Sequence, residues 1–451
     1  MEAIELARRS ATTLAQVRGG ARRVVLRHLL AEVLGPGVAP RGVGEEPADE
    51  RALVDADDAR TIGWRLRQVR RSRDKSLRVV AGLAGMSKSH LSEIERGDCA
   101  LDSLSEILAL AEVLQIAPSE LIRLPVPAPG NGATDAAINA VRLALLAVSR
   151  DRPGGQVLSV EALRGRVASA LDAYWRCDPD YGGIGAALSG LIRDLHMSIA
   201  VGRDAAELLD LAVLLHSHAT IGWLRRVGAA VDLRAQAAEL ARRTAQERDT
   251  PDARGLAVWG GLYVLVMTGA AELAWAELDS VTVPTNSPES MQVAGELALC
   301  RSFLAAVDSR PGDVGAPLEL ATELAQRTGE VNAYGLGFGP QEIGQWRARA
   351  ALEIQDYEQA VRVAEGLRPE THPLRTRQAD YWLTYGRALA RLRGRRDDAV
   401  MALRRAELIL PHYVQRDPIV RDVLAELLVH GRRDAGGREL RGMAYRAGLP
   451  V

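Results

Sequence analysis

The spacing of helix breaks in the C-terminal two thirds of the chain most restricts its possible folds. From residue 135 onward, apolar residues follow helical periodicity, which is interrupted at Gly228, Gly269, Gly312, Asp356 and Gly394. These breaks are roughly 40 residues apart, the length of one helix pair with its turns. One such pair cannot bury its own apolar face, so successive pairs must stack on each other. The spacing therefore predicts an α-solenoid over residues 135–451.

The last repeat, YWLTYGRALARLRGRRDDAVMALRRAELILP, shows the pattern best. Gly386 lies on a first helix, Gly394 at the turn, and Ala399, Leu403 and Ala406 on the second helix. Small residues stand where the two helices would touch. The pattern resembles a tetratricopeptide repeat, and the segment EIQDYEQAVRVAEGLRP carries a similar second helix.

Residues 61–124 have a different pattern, that of five short helices. Ser76 and Ser87 stand at helix N-termini, where a hydroxyl can cap the first turn. Gly85 lies between these two helices, where a left-handed backbone is favourable only without a β-carbon. Leu91 and Ile94 anchor the helix after Ser87. Two helices joined by a tight glycine turn predict a helix-turn-helix domain.

The fourth and fifth helices of this segment have start signals of their own. Ser103 followed by Glu106 predicts a capping box at the fourth helix, and Pro118 opens the fifth. The linker LPVPAPGNGATD then separates the domain from the repeats, because its prolines and glycines cannot continue a helix. The predicted organisation is an extension at 1–60, a DNA-binding domain at 61–124, a linker at 125–134 and repeats at 135–451.

Charge in the small domain is suited to nucleic acid. The whole chain has a net charge of −1, which offers no general attraction to DNA. The segment between Gly63 and Gly97, however, contains nine lysines and arginines but only three acidic residues. The segment from Glu45 to Asp58 contains seven acids and is interpreted as a solvated tether. The alternative is an acidic segment that competes with DNA for a basic face of the protein. The outward residues of the third helix are Lys88, Ser89, His90, Ser92 and Glu93.

The segment LRVVAGLAGMSKSHLSEIERG resembles the phage-repressor helix-turn-helix family, the Cro-type or XRE family, over about 60 residues. The resemblance implies that Lys88, Ser89 and Glu93 face bases while the basic end of the first helix meets phosphates. We therefore assign DNA contacts to the outward residues above and to Arg73 and Lys75.

The same resemblance implies an internal ion pair between Arg70 and Glu95. The chain departs from the family at Leu77, where a phosphate-binding glutamine is usual. This change removes one docking hydrogen bond, so DNA affinity would depend more on the arginines.

The complete layout resembles bacterial regulators with tetratricopeptide-like sensor domains. The segment VNAYGLGFGPQEIGQW suggests an effector groove with Tyr334, Phe338, Glu342 and Trp346. The alternative is a glycine-rich turn with ordinary core aromatics. Peptide receptors built from such repeats hold the backbone of the ligand with asparagines, and this chain has only four. A peptide effector is therefore not favoured over a small molecule or a protein.

Other function classes have little support in the sequence. Cys99, Cys177 and Cys300 show no paired spacing, and His216 and His218 would point to different sides of a helix. We expect no metal, no cofactor and no enzymatic activity. The stretch 255–271 is interpreted as a buried helix rather than a membrane span, and no signal peptide is recognised, so we expect a cytoplasmic protein.

Two functions remain from the sequence. The first is a sequence-specific, homodimeric transcription regulator that binds double-stranded DNA and is gated through its repeats. The second is a repeat-built interaction adaptor whose small domain no longer reads DNA.

Overall fold

The structure, a computed structural model, describes residues 61–124, 130, 132–328, 332–429 and 435–451. The predictions for residues 1–60 lie outside the described residues, and so does most of the predicted linker. Within the described ranges every regular element is a helix and no strand occurs. The predicted all-α fold is confirmed.

Five helices form the small domain, as the start signals predict. They are α1 (Ile62–Ser72), α2 (Leu77–Leu83), α3 (Lys88–Arg96), α4 (Leu104–Leu114) and α5 (Pro118–Leu121). Ile62, Leu66 and Val69 of α1 are buried, and so are Val80 and Ala81 of α2. Local apolar spacing therefore fixes which side of each helix faces the core.

The larger region continues with helices throughout. They are α6 (Gly132–Ser149), α7 (Val160–Arg176), α8 (Tyr181–Val201), α9 (Ala205–Leu214), α10 (Ile221–Arg226), α11 (Val231–Arg248), α12 (Pro251–Thr268), α13 (Ala271–Ser280), α14 (Pro288–Val307), α15 (Gly315–Thr328), α16 (Pro340–Glu353), α17 (Tyr357–Glu365), α18 (Arg375–Ala390), α19 (Arg396–Ile409), α20 (Pro411–Arg416), α21 (Pro418–Val429) and α22 (Ala435–Arg446). A π-helical segment, Leu215–Thr220, joins α9 to α10. Helix α6 begins at Gly132, inside the predicted linker.

All five predicted breaks fall between helices. Gly228, Gly269 and Gly394 have positive φ angles at the turns after α10, α12 and α18. Gly312 separates α14 from α15, and Asp356 caps α17. The helices α12, α14, α16 and α18 each contact the next in this order. Helix pairs therefore stack in sequence, as expected of an α-solenoid.

The last repeat packs closely through small residues. A β-carbon added at Gly386 would lie 3.0 Å from Leu403 Cδ2 on the facing helix. Ala399, Leu403 and Ala406 are fully buried. The small residues thus allow α18 and α19 to approach each other, which is the packing predicted for this pair.

The small domain packs against the repeats. Helix α5 contacts α12, α4 contacts α14, and α1 contacts α21. Apolar side chains of both regions belong to one continuous core, and all described residues belong to one compact unit. The position of the third helix is therefore set by the repeats as well as by its own domain.

Among the described residues, two helices, α6 and α8, are long and apolar enough to cross a membrane by length and composition alone. They pack against each other, with one third of each buried, and two such helices are weak evidence for a span. The stretch singled out in the sequence lies mostly in α12, where Leu256, Leu262 and Val266 are buried. The interpretation as a buried helix is confirmed.

Candidate nucleic-acid interface

Helices α2 and α3 form the helix-turn-helix. Ser76 Oγ accepts from Val79 N at 3.3 Å, and Ser87 Oγ accepts from His90 N at 3.1 Å. Gly85 between them has a φ of +71°. Both predicted caps and the predicted turn are confirmed, because all three depend on neighbouring residues only.

Helix α3 is held against α1 by direct backbone contact. Leu91 and Ile94 are fully buried beneath it. A β-carbon added at Gly63 would lie 1.7 Å from the carbonyl oxygen of Ile94, a distance that no side chain can occupy. Glycine at position 63 therefore allows the backbones of α1 and α3 to touch, which sets the distance between the two helices.

A buried ion pair fastens the same two helices. Arg70 donates from Nε to Glu95 Oε1 at 2.6 Å and from Nη2 to Glu95 Oε2 at 2.8 Å. Its Nη1 donates to the carbonyl oxygen of Lys75 at 2.8 Å. The hydrogen bond to Glu95 raises the pKa of Arg70, against the effect of burial. This bidentate geometry joins the end of α1 to the end of α3.

The outer side of α3 carries polar residues that are free of the core. Lys88, Ser89 and Glu93 are exposed, and Ser92 is half-buried, where its Oγ accepts from Arg96 Nη1 at 2.8 Å. At the end of α1, Arg73 is exposed. These positions leave the side chains available for base edges and phosphates, and their roles stay predictions.

His90 differs from the other predicted DNA contacts. Its Nε2 lies 2.8 Å from Glu106 Oε1, and the side chain is half-buried against α4. The hydrogen bond to Glu106 raises the pKa of His90. Lys75 is also half-buried. The prediction of an outward side chain at His90 is therefore wrong, because the ring contacts its own domain.

The predicted capping box at α4 is wrong. The Ser103 side chain accepts no hydrogen bond from an amide of the first turn, and its Oγ lies 2.7 Å from Ser105 Oγ instead. Glu106 is engaged by His90. The amide of Leu104 instead donates to Glu353 Oε2 at 2.7 Å, from α16 of the repeats. A carboxylate 249 positions away replaces the local cap.

Asp422 of α21 is a second carboxylate that holds the small domain. Its Oδ1 accepts from Ile62 N at 2.7 Å and its Oδ2 from Leu101 N at 2.8 Å. Glu426, one turn further, accepts from Ala100 N at 3.1 Å. The carboxylates of α21 thus bind backbone amides at the start of α1 and before α4.

Two arginines at the C-terminal end of α18, Arg387 within the helix and Arg391 at its C-cap, complete this contact. Arg391 Nη2 lies 2.7 Å from Asp102 Oδ1, and its Nη1 lies 2.8 Å from Glu426 Oε2. Arg387 donates to the carbonyl oxygen of Asp102 and lies 3.4 Å from Glu353 Oε1. We call Asp102, Glu353, Arg387, Arg391, Asp422 and Glu426 the docking cluster. Sequence reasoning missed it; the available signal was a pair of acids four residues apart on the largely apolar α21.

The predicted effector residues do not share one cavity. Phe338 is buried against Gly295, and Glu342 is buried with its Oε1 accepting from Trp346 Nε1 at 2.7 Å. Tyr334 donates its hydroxyl to Asp252 Oδ2 at 2.9 Å, beside a separate cavity. Of the four, Trp346 alone lines the central cavity described below. This placement fits the alternative of a turn with core aromatics.

The raised pKa of His90 predicts a pH-dependent contribution to stability. Protonated His90 binds Glu106, so the contribution is fully present below the ordinary pKa of about 6.5 and is lost as the pH rises through the raised pKa. We expect the stability difference between the wild type and His90→Gln to shrink from pH 6 to pH 9 in urea unfolding. Glu106→Gln removes the other partner of the pair. The stability difference between the wild type and Glu106→Gln should therefore shrink over the same pH range. A difference that stays constant over this range would contradict the pairing.

Comparison with known proteins agrees with this geometry for the small domain. No curated protein and no solved structure matches the chain. Residues 61–124 match the model of a family described as a helix-turn-helix domain, which spans 64 of the 451 residues. This part of the chain is therefore a helix-turn-helix domain, the kind of domain with which regulators bind DNA.

Proposed function

We propose that the protein is a sequence-specific transcription regulator that reads DNA with α3. The observation that carries the proposal is the exposed set of Lys88, Ser89 and Glu93 on a helix seated by Gly63 and the pair Arg70–Glu95. Lysine can donate to guanine O6 or N7, glutamate can accept from cytosine N4, and serine can bond either kind of edge. The side chains on this face thus suit the major groove.

Phosphate binding is assigned to the basic residues around α3. Arg71, Arg73 and Arg78 are exposed, and the half-buried Lys75 lies between them in the chain. Contacts of this kind give affinity without sequence preference and release counterions. Binding should therefore weaken steeply as salt is added.

The regulator is expected to act as a homodimer. A single helix-turn-helix reads few base pairs, so useful specificity requires two half-sites about one helical turn apart. We expect the repeats to supply the main contact, with residues 3–34 as a second one. Sedimentation of the full chain at micromolar concentration should show a dimer. A chain that stays monomeric both alone and on DNA would contradict this expectation.

Gating through the repeats is supported by the docking cluster. Glu353, Asp422 and Glu426 hold four backbone amides of the small domain, so movement of α16 or α21 would act on α1 and α4 directly. The effector that would drive such movement is a small molecule, a peptide or a protein.

The alternative function is an interaction adaptor whose small domain has lost DNA binding. Filter binding of the full chain to its own promoter fragment separates the two. A regulator gives a steep salt dependence and a clear preference over unrelated DNA. Weak binding that is equal on both DNAs would favour the adaptor.

A further inference from the structure

A cavity among the repeat helices is lined by more basic than acidic side chains. Its volume is about 120 Å³, near that of cavities that hold one benzene-sized molecule. Four arginines line it, Arg225, Arg234, Arg349 and Arg377, with Asp380 as the one acidic residue among the lining side chains. All four arginines are half-buried, and such an excess of positive charge in a partly desolvated space is unfavourable unless an anion balances it.

Three of these arginines have no carboxylate partner among the described residues. Arg377 lies 3.2 Å from Glu342 Oε1, but no ion pair is found for Arg225, Arg234 or Arg349 in that part of the chain. Arg225 donates from Nη2 to the hydroxyl of Tyr413 at 2.8 Å. Burial lowers the pKa of both Arg234 and Arg349, and the charge of Arg225 lowers that of Arg349 further. Against the effect of burial, Tyr413, Tyr263 and Asp380 raise the pKa of Arg225. Arg234 and Arg349 keep a lowered pKa, which a bound anion would raise.

Aromatic rings form the rest of the wall. The Arg349 guanidinium lies 4.1 Å from the ring centre of Phe303, and that of Arg225 lies 4.3 Å from the ring centre of Tyr263. Trp175, Trp259 and Trp346 line the same space. The rings offer an apolar wall to an aromatic ligand, while the guanidinium groups stacked on two of them would bind its charged end.

The π-helical segment adds two polar groups to this wall. Ser217 and His218 are both buried and line the cavity, and Ser217 Oγ and His218 Nε2 have no hydrogen-bond partner among the described residues. Burial lowers the pKa of His218 to about 3, so the imidazole is neutral at physiological pH. Ser217 can donate one hydrogen bond, and His218 can donate another in the tautomer with a proton on Nε2. π-helical turns are often found at functional sites.

From these observations we propose that the cavity binds one small aromatic anion, a carboxylate or a phosphate ester, between Arg225, Arg234 and Arg349. The three guanidinium groups would hold the charged group, and the tryptophan and phenylalanine rings would hold the ring of the ligand. The volume of the cavity fits a single ring.

A smaller cavity connects this site to the helix-turn-helix domain. It shares Arg225 and Arg349 with the first and reaches Leu104, the first residue of α4. Arg349 also lies four residues before Glu353, on the same side of α16. Glu353 binds the Leu104 amide. In this respect the inference rests on the proposed function, because it names the chemical class of the effector.

The test is calorimetric titration of the full chain, without DNA, with benzoate, phenyl phosphate and the neutral analogue benzamide. We expect saturable binding of at least one anion at one site per chain and no binding of benzamide. Arg349→Gln and Arg234→Gln should each weaken binding by about tenfold or more, the value of one charge-assisted hydrogen bond. Arg347→Gln is the matched control, since Arg347 lies on the same helix but pairs with Glu319 outside the cavity.

Three results would overturn the proposal. They are no binding of either anion, benzamide binding as tightly as benzoate, and equal affinities in Arg349→Gln and Arg347→Gln. The comparison with benzamide uses the wild-type chain, so it holds even where a variant folds poorly. Because no DNA is present, failure here leaves the DNA-binding function untouched, and failure to bind DNA leaves this result untouched.

Discussion

Glu95→Ala is expected to destabilise the helix-turn-helix domain by about 3–5 kcal/mol. The substitution leaves the Arg70 guanidinium buried between α1 and α3 without the carboxylate that takes two of its hydrogen bonds. One bond, from Nη1 to the carbonyl oxygen of Lys75, would remain. A buried charge without its partner costs far more than the loss of an exposed pair.

Hydrogen exchange can localise this effect. Amides of α1–α3 should lose protection in Glu95→Ala, while amides of α12–α19 keep theirs. Glu93→Ala is the matched control, because Glu93 lies on the same helix with an exposed side chain. Equal protection of α1–α3 in both variants would show that the Arg70–Glu95 pair does not hold the domain together.

Asp422→Ala is expected to release the small domain from the repeats. Both carboxylate oxygens accept from amides of buried residues, Ile62 and Leu101. Each buried amide left without an acceptor costs about 1–3 kcal/mol, so the loss of both acceptors should lower the free energy of unfolding by about 2–6 kcal/mol. Burial raises the pKa of Asp422 to about 7, so the measurement belongs at pH 8, where the carboxylate is ionised and both oxygens accept.

The readout is again hydrogen exchange, now at the contact itself. Amides of Ile62 and Leu101 should exchange faster in Asp422→Ala, and the denaturation midpoint should fall. Glu247→Ala, which removes an exposed carboxylate of α11, is the control and should change neither. Unchanged exchange at both amides in Asp422→Ala would mean that the Asp422 carboxylate does not hold the domain.

Local signals in the sequence predicted most of the small domain. The caps Ser76 and Ser87, the turn at Gly85 and the anchors Leu91 and Ile94 each depend on residues within one or two turns. The same holds for the five breaks between repeat helices. Such features are legible because the residues that cause them are neighbours in the chain.

Contacts between distant residues were not legible in the same way. Ser103 and Glu106 have the spacing of a capping box, yet Glu353 takes the amide and His90 takes Glu106. The docking of Ile62 onto Asp422 spans 360 positions. The cavity arginines come from α10, α11, α16 and α18, and nothing in a single repeat brings them together. A single sequence does not show which helices become neighbours when the repeats stack, so contacts between distant residues could not be predicted from it.

The most direct test of DNA reading by α3 is selection from a randomised-site pool, with the full chain and four alanine variants. Wild type should enrich one sequence with two half-sites. Lys88→Ala should lose about 1–3 kcal/mol on that site and relax the preference at one position, whereas Arg73→Ala should weaken binding to all sequences and lower the salt slope by about one. If Lys88→Ala, Ser89→Ala and Glu93→Ala all kept the affinity and the preference of the wild type, α3 would not read DNA.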